Sequence, residues 1–310
     1  MRQEQPPPIM TYCSVIRDPR IERNKRYPLY EVIVVTILAV IALAQGWEAI
    51  ERYGKAKEAW LRRFLKLKHG IPHHDGYRRV ISRILPEEIE QCFMNEVRAI
   101  KKEYERESIA IDGKTVRGHF KTGAGGKAPH IVSAWARENR LVFGQVKTEE
   151  KSNEITAIPT VLEKLALEGC IVTIDAMGCQ YKIADQIVPQ KADYLFSLKE
   201  NQETLYEDVK EYFEGLDFSA PAGKNPHIRF HSVSSPDEGH GRIEDRDYAV
   251  SADVGWLVER HSDWQMIRSM GVVESNREMK GEVPVERRLF ITSLPADAEQ
   301  FAGSNSSIYI

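Results

Sequence analysis

Apolar residues recur every three to four positions through the first third of the chain, a period typical of helices that pack along one face. The pattern covers residues 28–105, and glycine and proline at positions 46, 54 and 70–72 divide it into three or four helices. Its most apolar stretch, residues 32–44, is 13 residues long, whereas a membrane-spanning helix needs about 20. We therefore predict a buried helix there, no membrane partner, and a small all-α domain over residues 1–107.

From residue 108 the pattern changes to short runs rich in β-branched residues, which predict strands. The first three predicted strands, 108–117, 130–136 and 141–147, follow one another directly, and the last two form a hairpin. Helical segments then separate two apolar runs, 171–174 and 193–198, which indicate buried parallel strands. The order βββαβαβ predicts an α/β domain with an RNase H-like mixed sheet over residues 108–310. Four more strand-like runs follow, at 228–233, 246–251, 265–273 and 288–293.

The overall charge of −3 conceals an uneven distribution. Residues 1–107 hold 20 Lys and Arg against 15 Asp and Glu, and residues 51–83 alone hold ten basic side chains against three acidic ones. Such a basic segment attracts a phosphate backbone through counterion release. A solvated helix face has the same composition, so charge alone leaves DNA contact and simple solvation both open.

The cysteines and the N-terminus favour a reducing compartment. Cys13, Cys92, Cys170 and Cys179 form no CxxC pair, which excludes a disulfide scaffold and a structural zinc site. The N-terminus has three consecutive prolines and no apolar core, so we expect no signal peptide and a cytoplasmic protein.

Two other motifs fail as cofactor sites. The glycine-rich segment 121–128 lacks the first glycine and the final Ser or Thr of a phosphate loop, so we expect no nucleotide cofactor. No cysteine or carboxylate at a suitable spacing completes a metal site with His69, His73 and His74, so we do not expect one there.

Two aspartates stand where an RNase H-like sheet would bring them together. Asp112 lies within the first predicted strand and Asp175 directly follows the fourth, and these strands are neighbours in that fold. Two carboxylates there can share divalent ions that activate a water or hydroxyl for displacement at phosphorus. Hard oxygen ligands favour Mg²⁺ or Mn²⁺. The alternative is that each Asp merely ends a strand or makes a turn.

With these residues placed, the sequence resembles the DDE transposases of bacterial insertion sequences, in the ISAs-type group that includes the H-repeat-associated proteins. The matching stretches run in order from about residue 15 to about residue 295: DPR (18–20), KRYPL (25–29), WEAIE (47–51), IPHHD (71–75), IDGKTVR (111–117), KSNEI (151–155), TIDAMGCQ (173–180), DY (193–194), LKENQ (198–202) and HGRIE (240–244). No single stretch is specific, whereas the ordered combination is.

The resemblance implies a helical transposase-associated domain, an RNase H-like catalytic domain, and cutting and strand transfer at the ends of a mobile element. Asp112 and Asp175 match the first two acids of the DDE set, with Mg²⁺ or Mn²⁺ as cofactor. We expect double-stranded DNA at insertion-sequence ends as the partner, a homo-oligomer on that DNA, and a nucleoid-associated protein. The cations expected to position DNA phosphates are Lys114, Arg117, Lys199, His240 and Arg242.

The third acid of the set should come from an HWxIEN-like motif on a helix beyond the predicted strand at 288–293. Residues 294–310 contain no such motif. We therefore expect a C-terminal truncation or frameshift and a catalytic defect. Glu299 lies too early to substitute, and Glu244 is the better candidate although it should lie on a strand. Two alternatives stay open: a non-catalytic DNA-binding protein or repressor, and an autonomous RNase H-like nuclease with a replacement acid.

Overall fold

The computed structural model describes residues 16–21, 25–101, 107–115, 130–138, 140–148, 154–218, 227–237, 242–277 and 285–305. It divides the chain into two compact units, Met1–Glu103 and Tyr104–Ile310. Over the residues described, no helix is both long and apolar enough to cross a membrane.

The first unit is helical, as the apolar period predicts. Its helices are α1 (Leu29–Ile41), α2 (Trp47–Leu61), α3 (His74–Ile81) and α4 (Pro86–Lys101). In α1, Val32, Val34, Val35 and Ala39 are almost inaccessible to solvent, so this most apolar helix is the centre of the unit's core rather than a membrane span.

A buried carboxylate fixes the first helix to the segment that follows the second. Glu31 lies in the first turn of α1 and is 3% exposed. One of its oxygens accepts the backbone N–H of Leu67 at 2.9 Å. Burying a carboxylate is costly unless hydrogen bonds satisfy it, so this contact specifies where the chain must pass after α2.

The second unit is built on a nine-stranded mixed sheet with the order β3-β2-β1-β4-β5-β9-β8-β7-β6. The strands are β1 (Ser108–Thr115), β2 (His130–Ala136), β3 (Leu141–Thr148), β4 (Ile171–Ile174), β5 (Asp193–Leu198), β6 (Ile228–Asp237), β7 (Arg242–Ser251), β8 (Ser269–Arg277) and β9 (Val285–Thr292). Strands β1 to β3 are antiparallel, whereas β4 pairs in parallel with both β1 and β5. This half confirms the RNase H-like prediction.

The other half of the sheet is an antiparallel meander that continues from β5. Strand β9 pairs antiparallel with β5, and β8, β7 and β6 follow in turn. The sequence predicts these four strands, but β6, β7 and β8 extend further than the apolar runs indicate, because hydrogen bonding between neighbouring strands continues through polar residues that carry no apolar pattern.

Helices flank the sheet. They are α5 (Glu154–Lys164), α6 (Tyr181–Ile187), α7 (Glu203–Tyr212), α8 (Gly255–Arg260) and α9 (Ala298–Asn305). Helix α5 packs on β2 and β3, and α9 packs on β6 and β7. The sequence did not predict α8 or α9, since each is too short to show a helical period.

Candidate active site

The sheet register brings Asp112 and Asp175 to the same level on neighbouring strands. Ile111 of β1 is the parallel partner of Ile174, the last residue of β4. Asp112 and Asp175 are the residues that directly follow this pair, and Asp175 keeps an extended backbone with φ −67° and ψ 171°. Residues level with each other on adjacent parallel strands share a face of the sheet. Asp112 and Asp175 therefore lie side by side on the same face of the sheet, at the carboxyl end of β4.

Asp175 also caps a turn, the structural role that the sequence left open as the alternative to metal binding. One of its carboxylate oxygens accepts the backbone N–H groups of Met177 and Gly178, at 3.2 and 3.4 Å. A Cβ on Gly178 would lie 2.3 Å from a side-chain carbon of Ile174, so only glycine fits the turn. This turn holds one carboxylate oxygen, and the other carboxylate oxygen receives no hydrogen bond from the described residues.

Asp112 is more open to solvent. Its side chain is 53% exposed, and one oxygen lies 3.4 Å from the ammonium group of Lys114. Lys114 is two residues further along β1 and so projects from the same face of the sheet. The site therefore has a positive charge within reach of its negative ones.

The segment after β5 supports the Asp175 turn. The side-chain amide of Asn201 donates to the carbonyl of Ala176 at 2.7 Å, and that of Gln202 donates to the carbonyl of Cys179 at 3.0 Å. Both residues belong to the LKENQ stretch of the family resemblance, which by itself assigns no role to their amides. The feature of the sequence that could have indicated this role is the position of two amide residues just after a buried parallel strand.

A cavity of about 630 Å³ opens beside the turn. Asp175 and Lys199 both line it, together with Arg287 and Arg288 from β9. Arg287 is held by Glu274, whose carboxylate accepts from its Nε at 2.7 Å. Open α/β sheets bind ligands at the carboxyl ends of their parallel strands, and this cavity lies at that position.

The structure does not bring every predicted residue to this site. Arg117 and His240 lie outside the described residues. Arg242 and Glu244 lie on β7, which β5, β9 and β8 separate from β4. The strand register puts Ser251 of β7 level with Ile174 of β4, and Glu244 lies seven residues from Ser251 along β7. At the usual strand spacings, Glu244 is therefore roughly 19 Å from Ile174 across the sheet and roughly 23 Å from it along the strands. Glu244 does not complete a site with the two aspartates.

Comparisons with known proteins agree with this geometry. Residues 103–282 match the family described as "Transposase DDE domain", and residues 10–95 match the family described as "DDE_Tnp_1-associated". The chain belongs to the DDE transposase family.

Relatives of this transposase-family chain cover most of its length. It is 39% identical to an "uncharacterized protein in dhlA 3′region" of Xanthobacter autotrophicus, over 92% of this chain and 94% of that one. It is 37% identical to the "H repeat-associated putative transposase YhhI" of Escherichia coli K12, over 95% of this chain and 77% of that one. The "putative transposase YncI" of E. coli O157:H7 is 38% identical over 95% and 74% of the two chains.

The donor set of this transposase domain fits a hard divalent cation, which the family implies. Asp112 and Asp175 supply carboxylate oxygens, the ligands that Mg²⁺ and Mn²⁺ prefer. The three cysteines that the structure describes, Cys92, Cys170 and Cys179, are buried thiols. Burial, with the negative charge of Asp175 nearby, raises the pKa of Cys179.

The helical unit of the transposase contains a second polar cluster, of Glu51, His73 and His74. Their potential ligand atoms all lie within 4.8 Å of one another, close enough to hold a metal ion. The sequence-based rejection of a histidine site missed this carboxylate, because Glu51 comes from α2 and not from the histidine segment. The Glu51 carboxylate already accepts from Lys55 and from the backbone and ring nitrogens of His74.

The Glu51 cluster predicts a pH-dependent stability. The ion pair with Lys55, followed by the hydrogen bond from the His74 backbone, lowers the pKa of Glu51 from 4.5 to about 2. A carboxyl group whose pKa is lower in the folded than in the unfolded state contributes its full stabilisation at pH values above its unfolded-state pKa. That stabilisation is lost as the pH falls towards the folded-state pKa. We expect Glu51→Gln to lower the melting temperature by several degrees at pH 6, with the difference shrinking between pH 4.5 and 2.

Thermal unfolding followed by circular dichroism across this pH range checks the prediction. Glu48→Gln is the matched control, since Glu48 is an exposed glutamate on the same helix. An equal loss in the two variants, or a Glu51→Gln difference that does not change with pH, would show that the depressed pKa does not contribute to folding.

Proposed function

We propose that this chain binds the double-stranded ends of its insertion sequence and acts on them by metal-dependent phosphoryl transfer, with Asp112 and Asp175 as the carboxylates. The observation that carries the proposal is the parallel pairing of Ile111 with Ile174, which puts both aspartates at the carboxyl end of β4.

Asp112 and Asp175 would hold Mg²⁺ or Mn²⁺, which when bound activates the attacking oxygen and stabilises charge at phosphorus. Lys114 offsets the negative charge of Asp112 when the carboxylates carry no cation. Lys199 and Arg287 line the adjoining cavity and would position phosphates of the bound strand. Arg117, His240 and Arg242 remain proposed phosphate contacts on the basis of the family resemblance.

A second function is favoured by the position of Glu244. Glu244, the candidate third acid, belongs to β7, and β5, β9 and β8 lie between that strand and β4. Where Asp112 and Asp175 alone bind the ions, one of two shared ions lacks a ligand and the in-line geometry is poorly held. The second candidate is therefore a DNA-binding protein without strand cleavage, which would repress a related transposase by sharing its DNA or forming mixed oligomers.

One experiment separates the two functions. The 310-residue chain is incubated in Mg²⁺ or Mn²⁺ with labelled duplexes that carry the ends of its element, and binding and nicking are measured in parallel. Nicking that Asp112→Asn abolishes supports the catalytic function. Tight binding with every strand intact supports the second function, which is the result we expect. A chain that neither binds nor nicks these ends excludes both.

We also propose that the chain forms a homo-oligomer on DNA in the bacterial nucleoid. The proposal follows from the paired ends of an insertion sequence, which two copies of one chain can hold together. Light scattering of the chain with and without a single-end duplex tests it. A complex containing one chain per duplex at all protein concentrations would contradict it.

A further inference from the structure

Four arginines of the helical unit line one cavity of about 410 Å³. Arg20 and Arg26 come from the segment that precedes α1, whereas Arg79 and Arg83 come from α3 and the turn after it. Tyr27 and Pro72 complete the wall beside them. We call this the arginine cavity.

The fold explains why these residues meet. Gly76, Arg79, Val80 and Arg83 also line the cavity and are spaced three, four and seven residues apart, so they share one helical face. Gly76 leaves room there, because a Cβ on it would lie 3.3 Å from Pro72 Cβ. The stretches DPR and KRYPL are thus brought against α3, although nothing in the sequence links them to it.

The lining has an excess of positive charge. Arg20 is bound by Asp18 through two hydrogen bonds, of 2.9 and 2.8 Å, and its side chain is only 7% exposed. This pairing lowers the pKa of Asp18 and fixes the guanidinium in place. No carboxylate of the described residues lies within ion-pair distance of Arg26, Arg79 or Arg83. Four guanidinium groups and one carboxylate leave the wall net positive.

We propose that the arginine cavity binds one backbone phosphate of the DNA and so anchors the helical unit to the duplex. This rests on the proposed function, because it takes DNA as the partner, and it names a site that the Asp112–Asp175 centre does not include. Arginine matches phosphate better than lysine, since its planar guanidinium presents parallel N–H donors to two oxygens.

The cavity suits a phosphodiester rather than a base. Its charge comes from four guanidinium groups that can each donate to phosphate oxygens, whereas the aromatic wall is a single ring, Tyr27, already covered by Arg26 at 5.6 Å from its centroid. A base would need a free ring face for stacking. The contact would therefore be independent of sequence and would fix the register of the protein on the DNA.

The test compares two double variants with equal loss of charge. Arg79→Gln with Arg83→Gln changes the cavity, and Arg52→Gln with Arg78→Gln is the control, since both control residues are exposed and neither lines the cavity. Duplex binding is measured from 50 to 300 mM salt. We expect the cavity variant to bind about tenfold more weakly, with a salt slope reduced by about 0.9, the value for one lost phosphate contact.

If duplex binding weakens equally in the two double variants, the arginine cavity is not the phosphate site, although the chain still binds DNA. Inorganic phosphate supplies an arm without DNA: it should raise the melting temperature of the wild-type chain and not that of the cavity variant. If the wild-type chain binds phosphate through the cavity but binds no duplex, that result contradicts both the proposed function and the proposal that the cavity binds a DNA phosphate. A phosphate effect that is the same in the cavity variant would show that the cavity holds no anion.

Discussion

The substitutions Asp112→Asn and Asp175→Asn are each expected to weaken the binding of Mn²⁺ to the chain by about tenfold or more. Each substitution replaces a charged oxygen ligand by a neutral one of nearly the same shape. Where the chain nicks DNA, the same variants should lose at least a hundredfold in rate, because losing a metal ligand costs several kcal/mol of transition-state stabilisation and each 1.36 kcal/mol is about tenfold. Electron paramagnetic resonance of free Mn²⁺ measures the affinity without any need for cleavage.

Stability separates the ligand role of Asp175 from its turn role. The Asn side chain keeps a carbonyl oxygen that can accept the N–H groups of Met177 and Gly178, so Asp175→Asn should unfold at nearly the wild-type temperature. Asp175→Ala removes that acceptor and should be less stable. Asp263→Asn is the control for charge, since Asp263 is exposed and lies in the loop after α8. Unchanged Mn²⁺ affinity in both aspartate variants would leave Asp175 as a turn residue and nothing more.

The sequence predicts the local elements of the second unit well because their signals are local. The four-residue apolar run 171–174, which lies between Gly169 and Asp175, predicts a buried strand, and β4 has the predicted ends. The pairing of β4 with β1 follows from the handedness and order of the connections, which leave few topologies. The position of Asp112 beside Asp175 could therefore be predicted from the order of strands.

What the sequence could not predict depends on contacts between distant segments. Glu51 meets His74 from 23 residues away, and Arg20 meets the face of α3 that carries Arg79. No periodicity encodes such meetings, because they depend on how helices cross. The sequence also could not show that Glu244 lies far from β4. Its motif suggests a catalytic role, but three strands lie between its strand, β7, and β4.

The end of the described chain contributes a stabilising contact that the sequence pattern did not reveal. Phe301 of α9 is 2% exposed and packs edge-on against Phe290 and Tyr248, with ring centroids 5.5 and 6.1 Å apart. It belongs to the core cluster that covers β7, β8 and β9. Helix α9 therefore closes one part of the extended sheet through a single large side chain.

Phe301→Ala is expected to destabilise the second unit by about 3–5 kcal/mol, the usual loss for a buried phenylalanine. For a unit of this size that lowers the melting temperature by roughly 10 °C. Gly303→Ala in the same helix is the matched control. Gly303 has no neighbour within 4 Å of a Cβ, so alanine there should be neutral or slightly stabilising. Calorimetry of the full chain measures both.

Gly271 tests the same contact from the other side. A Cβ on this residue of β8 would lie 2.7 Å from the Phe301 ring, so Gly271→Ala should destabilise the wild-type chain by forcing the ring to move. In the Phe301→Ala background that clash is gone, and the added methyl group fills part of the cavity. The double variant should therefore be more stable than the sum of the two single losses predicts. Strict additivity would mean that α9 does not pack on β8 through this ring.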